Sequence, residues 1–296
     1  MNTLAFLCFF FLAHMLTDYG RVQEVGRLHY WLHTLYAVCE PWILRLVDRL
    51  VENPRVTGTR IGRALLWWVA WSNKPLPHGV VIPTSAAIHL LKQIEKWSQG
   101  EAHIAVGPCV CQKSMNRYSE PTEKDITIWY GAEIYKRTYA DDYRYISAEE
   151  AAAMLRGFHE QGLVPIVEFC MQSRRWMFVL CNCDREICAP VRLYKHTGLT
   201  ILPGPYIVEQ VEGECLGPEE CGACVTRCIF EANRFEAGRA VLDPAKCLGC
   251  GLCVTTCKGR IRRLKKRPDY QGRLLPFEYL QAARSEEDPA GSPPSL

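Results

Sequence analysis

Cys215-Leu216-Gly217-Pro218-Glu219-Glu220-Cys221-Gly222-Ala223-Cys224-Val225-Thr226-Arg227-Cys228 and Cys247-Leu248-Gly249-Cys250-Gly251-Leu252-Cys253-Val254-Thr255-Thr256-Cys257 hold eight of the sixteen cysteines of this 296-residue chain. Three close-set thiolates on a tight loop can cap one face of an iron–sulfur cube, and a fourth, a few residues on, ligates the neighbouring cluster. The spacing therefore predicts a crossed assignment. Cys215, Cys221, Cys224 and Cys257 hold one four-iron cluster, and Cys247, Cys250, Cys253 and Cys228 hold the other. Zinc or disulfides are the plain alternatives, but zinc sites seldom use two linked quartets at this spacing.

The two runs repeat one another. Cys221, Cys224 and Cys228 superpose on Cys250, Cys253 and Cys257 at an offset of 29 residues (250 − 221), whereas Cys215 stands three residues early. The surplus lies within 216–220, where Gly217-Pro218 is turn chemistry and predicts a looped-out insertion. The stretch leaves open that Cys215 is not a ligand and that the first cluster has three irons. Residues 229–241 read as strand, turn and strand around Gly238. Over residues 208–264 these features are strongly similar to bacterial-type ferredoxins with two 4Fe–4S clusters. The resemblance implies a small β-α-β-α domain with pseudo-twofold symmetry. The family's proline after the fourth cysteine is replaced by Ile229 and Lys258. A lysine beside the cluster of Cys257 favours the reduced state and raises its potential.

Sixteen cysteines in a chain this long do not describe a small disulfide scaffold. Reduced thiolates are needed for such clusters, so the expected location is cytoplasmic, with the inner face of the membrane as an alternative. The net charge of +3 implies nothing global, but Lys258–Arg267 carries seven basic side chains in ten positions. That run reads either as a solvated last strand or as a docking surface for an acidic redox partner. A membrane surface is a weaker reading, and nucleic acid is the least expected, since no aromatic platform or recognition helix accompanies the charges. Residues 269–296 form a C-terminal extension, Pro- and Ser-rich from Ser285, that reads as partly disordered.

Residues 76–205 read as an α/β-type, cysteine-rich domain. Thr84 reads as the N-cap of a helix whose periodicity runs over 86–98, and 102–106 is a strand that delivers Cys109-Val110-Cys111. Ser147-Ala148-Glu149-Glu150 is a capping box for a helix ending at Gly162. Strands over 163–170 and 176–181 follow, the second leading into Cys181-Asn182-Cys183 and then Cys188. Both Cys-x-Cys pairs are expected at the ends of adjacent strands. Cys109, Cys111, Cys181, Cys183 and Cys188 are a tentative third centre: an iron–sulfur cluster, zinc, or free redox thiols. The simplest set is Cys109, Cys111, Cys181 and Cys183, with Cys188 and Cys170 as substitutes and His159 and His196 as candidate nitrogen ligands.

The order Ile82-Pro83, Cys109-Val110-Cys111, the Glu149-Glu150 helix, Leu180-Cys181-Asn182-Cys183 and two cluster runs resembles a family of anaerobe iron–sulfur proteins over residues 80–267. Its members join an upstream cysteine-rich domain to a two-cluster ferredoxin, which implies electron transfer in anaerobic metabolism and a third centre of unspecified type. Gln112 stands where the family tends to have arginine, and only Cys188 remains of a denser cysteine cluster after Cys-Asn-Cys.

Residues 1–75 differ in composition. Leu4–Leu16 is apolar but, at 13 residues, short of the roughly 20 that span a bilayer. Leu28 through Leu50 recur at helical spacing, interrupted by Arg45, Asp48 and Arg49, and five of the eight tryptophans fall within Trp31–Trp71. This aromatic-rich helical region reads as a subdomain packed on the cysteine domain, or as a contact with a membrane surface or membrane complex. No nucleotide fingerprint or nucleophile arrangement is legible. The expectation is an α+β electron carrier or redox-complex subunit serving redox partner proteins rather than a self-contained enzyme. Its alternatives are a membrane-associated subunit and a reductase or activase with a catalytic upstream metal.

Overall fold

The computed structural model describes residues 27–72, 78–98, 103–169, 177–268 and 270; the apolar segment Leu4–Leu16, Cys170 and the tail from Ser285 lie outside them. The fold is α+β. Seven strands form one mixed sheet: β1 (His78–Val81), β2 (Ile104–Pro108), β3 (Glu123–Ile128), β4 (Arg144–Tyr145), β5 (Val164–Phe169), β6 (Met177–Cys183) and β7 (Ile201–Leu202). Their order is β4-β2-β3-β6-β5-β1-β7, and only β1 and β7 run parallel. The middle region is thus not the α/β alternation expected from its helix–strand order. Parallel neighbours need crossovers of about a dozen residues or more, and the connection from β5 to β6 is too short for one.

Strand alternation sorts the sheet's side chains onto two faces. Val80, Ile82, Val106, Ile126, Ile128, Val167 and Leu180 face α4 (Thr84–Trp97) and α7 (Ala148–Glu160), where Leu90, Leu91, Ile94, Leu155 and Phe158 complete one core. Each such side chain contributes about 1.5–3 kcal/mol of burial. Ser147 accepts the Glu150 amide at 3.1 Å, the predicted cap of α7. Asp125, Glu168, Cys181 and Cys183 alternate with these core residues and so fall on the opposite face.

That second face is covered by α6 (Tyr130–Thr138), whose Ile134 and Tyr135 share a core with Ala37 and Val179, and by α1 (Arg27–Glu52), which with α2 (Pro54–Thr57) and α3 (Arg60–Ser72) makes the N-terminal subdomain. Leu44, Val47, Val51, Leu66 and Ala70 pack against Ala189 and Leu193 of α8 (Ala189–Thr197). Asp48 is drawn inward by ion pairs to Arg192 at 2.6 Å and Arg117 at 3.1 Å. Packing on the cysteine domain is therefore what the helical spacing encoded. The outer side of α1 and α3 leaves Trp42, Ile61 and Trp68 at 70, 86 and 58% exposure. Among the described residues no helix is long and apolar enough to cross a membrane.

The C-terminal unit runs β8 (Tyr206–Gln210), α9 (Gly217–Glu220), α10 (Ala223–Thr226), β9 (Asn233–Glu236), β10 (Arg239–Leu242), α11 (Leu252–Thr255) and β11 (Arg262–Lys266). It is two β-α-β halves rather than β-α-β-α. β8 pairs with β11 and β9 with β10, both antiparallel, so each half lends a strand to the other. The 29-residue offset maps α10 onto α11, and left-handed Gly222 onto Gly251. It also maps Glu231 onto Arg260, both at positive φ. The three surplus residues are accommodated by the extra turn α9.

His159 joins this unit to the sheet layer. Its Nδ1 lies 2.9 Å from Thr84 Oγ1 and its Nε2 lies 2.7 Å from Thr255 Oγ1. Arg227 donates to the carbonyls of His159 and Glu160, closing the C-terminus of α7. Burial, with the Arg227 charge, lowers His159 to about 4. The unfolded chain therefore binds this proton more readily, with a reference value of about 6.5, and stability falls as pH drops from there toward 4, by at most about 1.4 kcal/mol per pH unit. Denaturant unfolding between pH 7 and pH 5 should show this decline, and His159→Gln should flatten it. An unchanged pH slope in the variant would contradict the assignment.

Candidate functional site

The folding of the repeat brings the eight C-terminal cysteines into the two predicted groups. Cys215, Cys221, Cys224 and Cys257 line one cavity of about 20 Å³, shared with Ala240, Ile261 and Arg262. Burial, opposed by the Arg262 charge and reinforced by Cys257, Cys215 and Cys221, raises the Cys224 thiol. Burial together with Cys253, Cys228 and Cys247 holds Cys250 well above the usual thiol range. Burial likewise pushes Cys253 up to about 12. Cys257 therefore sits with the first run and Cys228 with the second. Cys215 is one of the four lining thiols, and its Sγ accepts the Ala240 amide at 3.4 Å. The amides of Ala240 and Gly217 lower its pKa. Cys228 Sγ accepts the Ala232 amide at 3.3 Å.

Arg262 is the group that sequence reading missed. Its side chain is buried, at 4% exposure, and donates to the Ala240 carbonyl at 3.3 Å while Nε and Nη1 have no partner. Its charge acts on Cys215, Cys224 and Cys253, which belong to both quartets. A buried guanidinium with unpartnered donors beside a ring of thiols favours negative charge at that place. One signal was present: the 29-residue offset aligns Arg262 with Asn233, the first residue of β9, which is also buried with an unpartnered oxygen.

The other charges of the basic run are largely engaged within the fold. Arg263 and Lys265 pair with Glu209, the latter at 2.9 Å. Arg267 donates to the carbonyls of Gly204, Tyr206 and Cys247. Lys258 reaches the Glu220 carbonyl at 3.4 Å, beside the first quartet.

The upstream cysteines also converge, though by a route different from the one expected. Cys109 follows β2, Cys111 lies in α5 (Val110–Met115), and Cys181 and Cys183 lie within β6. β2 and β6 are not adjacent, because β3 lies between them. All five thiols, Cys109, Cys111, Cys181, Cys183 and Cys188, line one cavity of about 110 Å³. Glu40 of α1, Lys124 and Asp125 of β3 and Glu168 of β5 complete its polar wall. Asp125 is paired across the sheet with Cys181, whose thiol donates to it at 3.6 Å and to Glu168 at 3.8 Å. Burial raises Asp125 to about 6, and burial plus the Asp125 charge raises Glu168 to about 7. The neighbouring Cys111 thiol and burial hold Cys109 far above its ordinary value. Neither candidate histidine reaches this cavity: His159 sits in the seam with Thr84 and Thr255, and His196 lies in the last turn of α8. Among the described residues no three His, Cys, Asp or Glu side chains are arranged to hold a single metal ion.

Comparison of the chain with protein-family models, with characterised proteins and with solved structures returned no match.

Two glycines test the loop geometry. Gly249, at φ +84°, faces the Tyr206 carbonyl, which a Cβ would approach to 2.0 Å; Gly238, at φ +77°, faces open space. Gly238→Ala should cost about 1 kcal/mol of left-handed strain. Gly249→Ala should cost more than about 3 kcal/mol, because backbone must also move. Thermal unfolding of the two variants checks this, and equal losses would contradict the packing.

Proposed function

We propose that the chain is an iron–sulfur electron-transfer protein that passes single electrons between redox partner proteins. Cys215, Cys221, Cys224 and Cys257 would hold one 4Fe–4S cluster, and Cys247, Cys250, Cys253 and Cys228 the other. One observation carries this reading: two crossed thiol quartets share a buried guanidinium whose free donors line the first. Each cluster, when bound, supplies a one-electron store. The protein's own groups do the rest. Arg262 would offset thiolate charge between the quartets, the Ala240 amide favours the thiolate form of Cys215, and the Ala232 amide donates to Cys228 Sγ. Three thiols of the first quartet, Cys215, Cys221 and Cys257, are half-buried and three of the second, Cys228, Cys247 and Cys253, are buried, with Cys224 and Cys250 the exceptions. The first quartet is thus the side for exchange with a partner, and the second leads inward.

Iron analysis of paired variants tests the crossing. Cys221→Ser with Cys257→Ser removes ligands from one quartet and should cost about four irons per chain. Cys253→Ser with Cys257→Ser, both from one run, should cost about eight. The reverse pattern would defeat the assignment. Arg262→Gln should lower the potential of the first cluster by on the order of 60 mV, the one-electron equivalent of about 1.4 kcal/mol. A potential that stays put would remove Arg262 from its role.

The exposed face of α1 and α3 supports a location at an anionic membrane surface. Trp42, Leu46, Ile61, Leu65, Trp67 and Trp68 stand out from it, with Arg49, Arg55, Arg60 and Arg63 exposed among them. Aromatic side chains with interspersed arginines suit the headgroup region of anionic lipid. The full chain should co-sediment with phosphatidylglycerol vesicles, and Trp42→Ser with Trp68→Ser should weaken binding by about tenfold or more. Equal recovery of both proteins in the supernatant would rule this surface out.

A further inference from the structure

We infer that the cavity between β6 and α1 holds a third iron–sulfur cluster, ligated by Cys109, Cys111, Cys183 and Cys188 and wired to the second C-terminal quartet. It depends on the reading above only for the source of its electrons.

The donor set is the first argument. The five upstream thiols form a file in which Cys109 neighbours Cys111, Cys111 neighbours Cys188, Cys188 neighbours Cys183, and Cys183 neighbours Cys181. Strung along a cavity wall in this way, they suit a polynuclear group with ligands on several sides better than a single zinc, which draws four donors to one point. Cys188 sits between Cys111 and Cys183 in the file. Cys181 is at its end and hydrogen-bonds to Asp125 and Glu168. Cys188 thus replaces Cys181 in the four-ligand set, and Cys181 with its two carboxylates forms a flank.

The surroundings suit an anionic cluster. Lys124 is buried, at 1% exposure, in the cavity wall, with its ammonium 2.7 Å from Asp184 and its charge felt at Cys109 and Cys183. Cys188 is the N-cap of the nine-residue helix α8, whose Ala189 and Val191 amides reach the sulfurs of Cys111 and Cys188. That is the positive end of a helix dipole directed at thiolate.

The path to the second quartet is short and passes through one arginine side chain. Asp184 Oδ1 accepts the amides of Glu186 and Ile187, shaping the loop from Cys183 to Cys188. From that loop Arg185 donates to the carbonyl of Cys228 at 2.5 Å. Cys183 and Cys188 also share one continuous core with three thiols of the second quartet, Cys228, Cys247 and Cys253, and with one of the first, Cys224. No comparable hydrogen bond among the described residues ties this loop to a ligand of the first quartet. Electrons would pass from the first quartet to the second and then to the upstream centre.

Two sets of variants, purified anaerobically as full chains, test the inference through iron and sulfide content and electron paramagnetic resonance. Cys221→Ser with Cys253→Ser disables both C-terminal quartets. About four irons should remain, held upstream; none remaining would overturn the third centre whatever the C-terminal quartets do. Conversely, Cys183→Ser with Cys188→Ser should reduce the wild-type content from about twelve irons to about eight and leave the C-terminal signals in place. Cys181→Ser should keep about twelve. Wild-type protein with about eight irons, with or without a zinc ion, would overturn the proposal while leaving the two-cluster reading intact.

Discussion

A guanidinium enclosed between two rings of cysteine is the constraint on which the C-terminal half depends. Burying Arg262 with two unpaired nitrogens costs several kcal/mol unless negative charge lies beside it. Eight neutral thiols do not supply that charge. A pair of anionic thiolate-bound clusters does, and the guanidinium in turn makes it easier to hold eight thiolates in a small volume. On this account the apolar residues around the quartets, such as Ile229, Phe230, Leu248 and Leu252, form a thin shell around a polar centre. With clusters bound as proposed, the unit would draw much of its folding energy from what the cysteines hold, as small metal domains do.

The same centre reaches the rest of the molecule through a few arginines and one histidine. Arg185 and Arg227 each donate to backbone carbonyls across the junction between the sheet layer and the cluster unit, and Arg267 reaches back to the Gly204 carbonyl ahead of β8. His159 bridges threonines on both sides. Such bonds position the upstream cysteine loop against Cys228 with little freedom. A free carrier that diffuses between partners has no need of that rigidity. An internal wire does, since electron transfer depends on fixed separations between centres. The N-terminal helices add the outer wall of the upstream cavity through Glu40, Ile43 and Leu44. They therefore belong to the site as much as to the surface.

The thiol triplets within each run were legible because spacing within a loop is a local, covalent property that tertiary structure cannot alter. The three-residue insertion was legible for the same reason: Gly217-Pro218 turns wherever it is placed. The helix over 84–97 and the Ser147 cap followed from apolar spacing and side-chain chemistry. What failed was long-range. Arg262 sits in a run of seven basic residues, and nothing local separates the buried member from its solvated neighbours. Glu40, Asp125 and Glu168 come from three elements far apart in the chain. The interposition of β3 between β2 and β6, and the antiparallel sense of most of the sheet, are matters of strand order, which periodicity does not encode. His159 and His196 were weighed as metal ligands on residue type alone, and packing placed both elsewhere.

The central claim is that the C-terminal thiols surround redox-active clusters close enough to share one buried cation. Stepwise reduction of anaerobically purified full-length protein, followed by low-temperature electron paramagnetic resonance, addresses it most directly. The account predicts signals of reduced four-iron clusters, with the mutual broadening that neighbouring paramagnets impose on each other. A chain that takes up no electrons, or one whose quartets contain zinc and give no signal, would contradict it.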